Sequence, residues 1–161
     1  MKIFGMLALT MIAAPAAAQA PEPKPVERDA DYHNRQNLYL YGLKSSDGWR
    51  QTASGLRYRS VKEGAGDARP SATDTVTIHY AGRFIDGKEF DSSVARGEPA
   101  TFPLSRLIKG WQEGVPLMEV GDMFEFAIPY TLAYGAAGRG PIPGGATLLF
   151  TIELIAIPPT P

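Results

Sequence analysis

Val76-Thr77-Ile78-His79-Tyr80-Ala81-Gly82-Arg83-Phe84-Ile85-Asp86-Gly87-Lys88-Glu89-Phe90 is the stretch that decides the fold. Val76, Ile78 and Tyr80 alternate with Thr77, His79 and Ala81, the period of two that marks a strand with one buried face. Asp86-Gly87 predicts a tight hairpin turn of type I′, whose central residues both take positive φ, and so puts Phe90 on the returning strand. The first strand is therefore expected at the centre of the core.

Working outward, residues 94–99 read as a polar loop, and Ala100-Thr101-Phe102-Pro103-Leu104 as a short edge strand, where a sheet tolerates proline. Leu107, Ile108, Trp111 and Val115 share one face of a helix over residues 107–115, kept brief by Gly110 and Gly114. Phe124, Phe126 and Ile128 alternate against Glu125, and Leu148, Phe150, Ile152 and Leu154 alternate against Thr147, Thr151 and Glu153, so both segments are strands. Upstream, Ser45-Ser46-Asp47-Gly48 is a turn cluster and Gly55-Leu56-Arg57-Tyr58 opens another strand. Five or six antiparallel strands with one short helix define an α+β fold, the curved sheet packing its apolar face on the helix. Between the last two strands, residues 130–145 are rich in Gly and Pro and longer than an ordinary connection, which points to function.

At 161 residues, 44% hydrophobic and 20% charged, the chain has material for one core and an extension. A formal net charge of -1 removes the electrostatic case for a nucleic-acid or anionic-membrane partner, since both need clustered Lys and Arg. Without Cys there is no disulfide, thiol nucleophile or cysteine-linked lipid. His33 and His79 each lack a ligand partner at useful spacing, so neither a metal nor a cofactor is expected.

Lys2, the apolar run over residues 3–14 and Ala16-Ala17-Ala18-Gln19-Ala20 read as a secretory signal peptide cleaved after Ala18 or Ala20. The run is shorter than the roughly 20 apolar residues a bilayer span needs. The expected organisation is a signal peptide over residues 1–20, then a proline-rich linker and short amphipathic helix (residues 28–43) within 21–51. A compact domain follows over 52–161. The mature chain is expected in the periplasm or secreted.

Five stations in order carry a resemblance: Val76-Thr77-Ile78-His79-Tyr80; Asp86-Gly87-Lys88-Glu89-Phe90-Asp91-Ser92-Ser93; Leu107-Ile108-Lys109-Gly110-Trp111; Ala133-Tyr134-Gly135; and Ala146-Thr147-Leu148-Leu149-Phe150. Together they resemble the FKBP-type peptidyl-prolyl cis-trans isomerases over residues 52–157. The resemblance implies a twisted antiparallel half-barrel wrapped around one helix that carries the tryptophan, and an activity that rotates X-Pro bonds without cofactor. It implies Trp111 as the floor under the prolyl ring and Tyr80, Phe90, Leu107, Ile108 and Phe150 as walls. It further implies the Ile108 N–H and the Tyr134 hydroxyl as donors to substrate carbonyls, Asp91 as a pocket carboxylate paired in part with Arg96, and Ile142-Pro143 on the rim. Asp91, Tyr134, Trp111 and Tyr80 are thus the expected catalytic set, and Phe90, Arg96, Leu107, Ile108, Ile142 and Phe150 the substrate-binding set. The implied partners are proline-containing unfolded or partly folded polypeptides, with tacrolimus or rapamycin-like macrolides as small-molecule ligands.

Three features depart from the small eukaryotic members. The segment between Leu104 and Trp111 is shorter, Ala100 stands where phenylalanine is frequent, and the loop after Tyr134 carries Arg139 and one fewer residue before Ala146. These look like bacterial secreted members, and Thr52-Ala53-Ser54-Gly55-Leu56-Arg57-Tyr58 after a helix is similar to those related to the macrophage infectivity potentiator. There a long N-terminal helix makes a dimer. Here the helix is near the length at which an isolated helix is marginal, so it is expected to dock on its own domain, with a monomer favoured over a dimer.

Other chemistries fit less well. Ser92, Ser93, His79 and Asp91 lack the G-x-S-x-G turn of a hydrolase, and Gly64-Ala65-Gly66 is a turn with no phosphate-loop pattern. Arg57, Arg59 and Lys62 are expected on a solvated strand face, and Phe126 in the core. One alternative keeps the fold and the pocket: a non-catalytic peptide-binding or holdase chaperone module.

Overall fold

The computed structural model describes residues 30–159. The signal peptide and the proline-rich linker of the sequence reading lie outside the described residues. In chain order the elements are α1 (Ala30–Gly42), β1 (Arg50–Gln51), β2 (Arg57–Lys62), β3 (Thr75–Phe84), β4 (Glu89–Ser92) and α2 (Ser93–Arg96). Then come β5 (Ala100–Pro103), α3 (Lys109–Gly114), β6 (Met123–Ile128), β7 (Gly138–Arg139), β8 (Ile142–Pro143) and β9 (Leu148–Ala156).

Seven strands form one antiparallel sheet in the order β1-β2-β6-β9-β3-β4, with β5 also paired to β3, while β7 and β8 make a separate ribbon. The additional strand beyond five or six is β1, two residues opposite Arg57 and Tyr58, too short to show a period. Val76, Ile78 and Tyr80 of β3, Phe124, Phe126 and Ile128 of β6, and Leu148, Phe150, Ile152 and Leu154 of β9 all point into one buried cluster. Trp111 and Val115 enter that cluster from the helical side. The period of two has become a concave apolar face, and burying it at about 25 cal/mol per Å² is what holds sheet and helix together.

Two local readings need correction. Of the Asp86-Gly87 pair only Gly87 takes positive φ (88°), and among the described residues no non-glycine does. The Gly87 N–H donates to Phe84 O and the Phe84 N–H to Lys88 O, each at 2.9 Å, so the hairpin closes through a longer loop with glycine at its left-handed position. Asp86 stays in ordinary backbone territory because its Oδ1 accepts the Lys88 N–H at 2.9 Å. Within the expected polar loop, residues 93–96 form α2, capped by the Ser92 hydroxyl, which accepts the Ala95 N–H at 3.1 Å. One helical turn carries no periodicity, which is why patterning missed it.

Gly110 and Gly114 do more than shorten α3. A Cβ at Gly110 would lie 2.5 Å from Ile128, and one at Gly114 2.6 Å from Phe126. Glycine lets the α3 backbone rest on β6, and that contact sets the height of Trp111.

The N-terminal helix docks on the same domain, as its length predicts. Gln36, 6% exposed, accepts the buried Thr147 N–H on its Oε1 at 2.8 Å. Leu38 and Tyr41 face outward. Among the described residues no helix is long and apolar enough to cross a membrane.

Candidate active site

Along the apolar face, Trp111, Phe150 and Tyr80 meet edge to face: Trp111 lies 5.1 Å from Phe150 and 5.3 Å from Tyr80, ring centre to ring centre. Phe90 adds an edge-on contact to Phe150 at 5.5 Å. Edge-to-face rings lock one another beyond their burial, so this cluster is a rigid surface. Gly82 makes it possible, because a Cβ there would fall 2.6 Å from Phe90 and 2.7 Å from Phe150.

The cluster lines a cavity of about 700 Å³, within the roughly 300–1,000 Å³ common for ligand sites. Leu107, Ile108, Tyr134 and Ile142 complete the walls expected from the sequence. Nine of the ten expected site residues line it: Tyr80, Phe90, Asp91, Leu107, Ile108, Trp111, Tyr134, Ile142 and Phe150. The tenth, Arg96, stands behind Asp91.

Phe102, Arg106, Arg139, Gly140 and Pro141 also line the cavity, unassigned by the sequence reading. Phe102 adds a ring that the departure at Ala100 did not lead one to expect. Both face the same side of β5, opposite Val76 and Ile78, and the Phe102 ring sits 6.2 Å from Tyr80 and 6.4 Å from Trp111. An aromatic wall thus stands two residues beyond Ala100. The i, i+2 rule applied to β5 was the signal that could have found it.

One edge of the cavity is polar. The Tyr80 hydroxyl donates to Asp91 Oδ2 at 2.5 Å, Arg96 Nη1 donates to Asp91 Oδ1 at 2.5 Å, and Arg96 Nη2 donates to the Tyr80 hydroxyl at 3.0 Å. Burial pushes the Asp91 carboxyl up, but the hydrogen bonds from Tyr80 and Arg96 and the guanidinium charge outweigh it and hold Asp91 below the usual carboxylate range. Burial, then the hydrogen bond to Asp91, pushes the Tyr80 phenol up. The trio therefore stands as carboxylate, neutral phenol and guanidinium, with both Asp91 oxygens occupied.

Three donors remain unspent. The Tyr134 hydroxyl and the Ile108 N–H have no hydrogen-bond partner among the described residues. Trp111 Nε1 is the buried side-chain nitrogen left without one. The half-buried Tyr134 ring and its free hydroxyl are what a ligand-facing donor needs.

Tyr134 belongs to the glycine-rich connection, which hydrogen bonds fold into a defined rim. Gly135 N–H donates to Tyr130 O (2.9 Å), Gly138 N–H to Tyr134 O (3.2 Å) and Gly145 N–H to Gly135 O (2.9 Å). The β7–β8 ribbon, pairing Arg139 with Ile142, carries the rim over the cavity. Helix α1 braces its far end: Gln36 holds Thr147, and His33 packs so closely on Gly145 that a Cβ there would meet Cε1 at 2.6 Å.

The serine and histidine of the discarded triad have structural partners. Ser93 Oγ, buried, accepts the Tyr80 N–H at 2.8 Å and lies 3.1 Å from His79 Nδ1, tying α2 to β3. Arg59 and Lys62 are paired across the sheet with Glu125 (2.6 Å) and Glu153 (3.7 Å).

Comparison with known proteins agrees with this geometry. The family described as FKBP-type peptidyl-prolyl cis-trans isomerase matches residues 66–155. The FKBP-type isomerase FkpA of Aeromonas hydrophila is 54% identical over 119 residues, 74% of this chain and 44% of that protein. The crystal structure of FkpA from Escherichia coli superposes with a TM-score of 0.77 at 41% identity, covering 82% of this chain and 62% of that one. A peptidyl-prolyl cis-trans isomerase from Pseudomonas syringae pv. tomato superposes at 0.72 and 34% identity, covering 78% of this chain and 92% of that one. The chain therefore belongs to the FKBP-type peptidyl-prolyl cis-trans isomerase family. It spans about half the length of the curated relatives it matches.

Proposed function

We propose that this chain accelerates cis-trans rotation of X-Pro bonds in unfolded or partly folded polypeptides, with the prolyl ring seated on Trp111. The uncatalysed barrier is about 18–20 kcal/mol, because resonance holds the amide planar. That resonance also charges the carbonyl oxygen, and water stabilises the charge. A wall built from Tyr80, Phe90, Phe102, Trp111 and Phe150 strips this water away, which raises the planar amide more than the twisted one.

Magnitudes divide the labour. A tenfold rate gain corresponds to about 1.4 kcal/mol off the barrier, and one neutral hydrogen bond contributes about 0.5–1.5 kcal/mol. The Tyr134 hydroxyl thus accounts for about tenfold at most, and the Ile108 N–H anchors the chain; desolvation and shape supply the remainder. Asp91, held by Arg96, fixes the Tyr80 ring through its hydroxyl and keeps that wall in place.

The observation that carries the reading is an aromatic cavity with unspent donors on its walls, in a chain of this family. Export to the periplasm or medium is part of the proposal, supported by the signal-peptide pattern around Lys2 and Ala18. So is a monomer, supported by the docking of α1 on its own domain. The apolar volume also suits tacrolimus or rapamycin-like macrolides.

Proline-limited refolding of an unrelated protein is the test. Substoichiometric chain should shorten the slow phase, and tacrolimus should suppress the effect. Tight binding of unfolded protein with an unchanged slow phase would replace catalysis by the holdase reading.

A further inference from the structure

The cavity mouth carries an uncompensated positive charge. Its charged lining residues are Asp91, Arg106 and Arg139. Asp91 is already neutralised, one oxygen on Arg96 and the other on Tyr80. Arg106 and Arg139 are exposed, and among the described residues neither side chain forms a hydrogen bond or an ion pair. They reach the mouth from separate segments, one ahead of α3 and one on the β7–β8 ribbon. Lys109, next to Ile108, is exposed and likewise unpaired. The whole chain has a formal net charge of -1, so this is a local feature and not the face of a basic protein.

Apolar walls below such a mouth concentrate its field, because little water lies between the charges and whatever enters. We infer that Arg106 and Arg139 make this site select prolyl segments with an acidic residue beside the proline. The inference rests on the isomerase reading and adds the substrate class. Arginine suits this role, since its fork meets a carboxylate with two parallel bonds while its carbon stem lies along apolar surface.

Two short peptides identical except for Glu-Pro or Gln-Pro test it, since glutamine matches glutamate in shape without the charge. Their kcat/KM values are read by NMR exchange, which needs no protease with preferences of its own. Exposed pairs of this kind are individually weak, so the expected Glu:Gln ratio is about fivefold at low ionic strength. It falls towards one in about 1 M salt, where the screening length is about 3 Å. The double variant Arg106→Gln/Arg139→Gln should bring the ratio to one at any salt, Arg106→Lys/Arg139→Lys should keep most of it, and Arg106→Glu/Arg139→Glu should turn the preference towards Lys-Pro. Acceleration of both peptides with a ratio of one in the unaltered protein overturns the inference and leaves the isomerase reading standing. Acceleration of neither overturns both.

Discussion

The floor and the rim of the cavity are built by opposite means. The floor is secondary structure: Tyr80 on β3, Phe150 on β9 and Trp111 on α3, each about 5% exposed and wedged edge to face. The rim is backbone turned back on itself, with Tyr134, Arg139 and Ile142 held by glycine N–H bonds, a two-residue ribbon and a brace from α1. Floor residues are also core residues, so the same contacts carry folding and binding. Of the rim residues, Arg139 is exposed and Tyr134 half-buried, so these two can change with less cost to the core than Ile142, which is buried in it. On the proposed function, the floor supplies the desolvating wall, while the rim supplies the Tyr134 hydroxyl and meets the rest of the peptide.

Substitutions that separate the two regions sharpen this contrast. Trp111→Ala should have the largest effect, destabilising the domain by about 3–5 kcal/mol in chemical denaturation and abolishing acceleration of a prolyl peptide. Next comes Gly82→Ala, whose new methyl meets two ring edges; it should cost about 1–3 kcal/mol and raise KM as Phe90 and Phe150 part. On the rim, Gln36→Met keeps the bulk but leaves the Thr147 N–H buried and unpaired, worth about 1–3 kcal/mol. It should lower kcat/KM less than either floor variant, although residue 36 lies on an element outside the cavity. Equal losses for Gln36→Met and Trp111→Ala would erase the distinction.

The smallest effect is that of pH. Asp91 is depressed, so its contribution is present above the ordinary carboxylate range and is lost only as pH falls through the lowered value. Tyr80 is raised, so its contribution is present below the ordinary tyrosine range and is lost as pH rises through the raised value. The contribution of this trio to rate and fold should stay level across neutral pH, with its loss confined to strongly acid and strongly alkaline solution. A step near neutrality in the pH-rate profile that Asp91→Asn abolishes would contradict the Tyr80–Asp91–Arg96 arrangement.

The floor was legible in the sequence because long strands repeat. Val76-Ile78-Tyr80 and Leu148-Phe150-Ile152 state their buried face several times over, and Trp111 sits on a short helix as read, although that helix spans only Lys109–Gly114 and Leu107 and Ile108 precede it in extended backbone. Phe102 obeyed the same rule, but its four-residue strand is too short to repeat it. The rim had no period to read. Its form depends on hydrogen bonds between residues such as Gly135 and Gly145, and on an α1 contact that joins positions 36 and 147. The hairpin at Asp86-Gly87 forms as read, with Phe90 on the returning strand, but its turn is not type I′ for a local reason: the aspartate side chain found the Lys88 N–H, which a turn with positive φ at Asp86 would not have required.

The indole N–H of Trp111 offers the most direct test. It is buried without a partner, and the chain's second tryptophan, Trp49, sits under Arg59 outside the cavity lining as an internal control. Titrating a prolyl peptide into labelled protein should shift the Trp111 resonance and leave Trp49 in place, while cis and trans signals of excess peptide exchange faster. Faster exchange with an unmoved Trp111, or a shifted Trp111 with exchange at the uncatalysed rate, would contradict a catalytic prolyl seat on this floor.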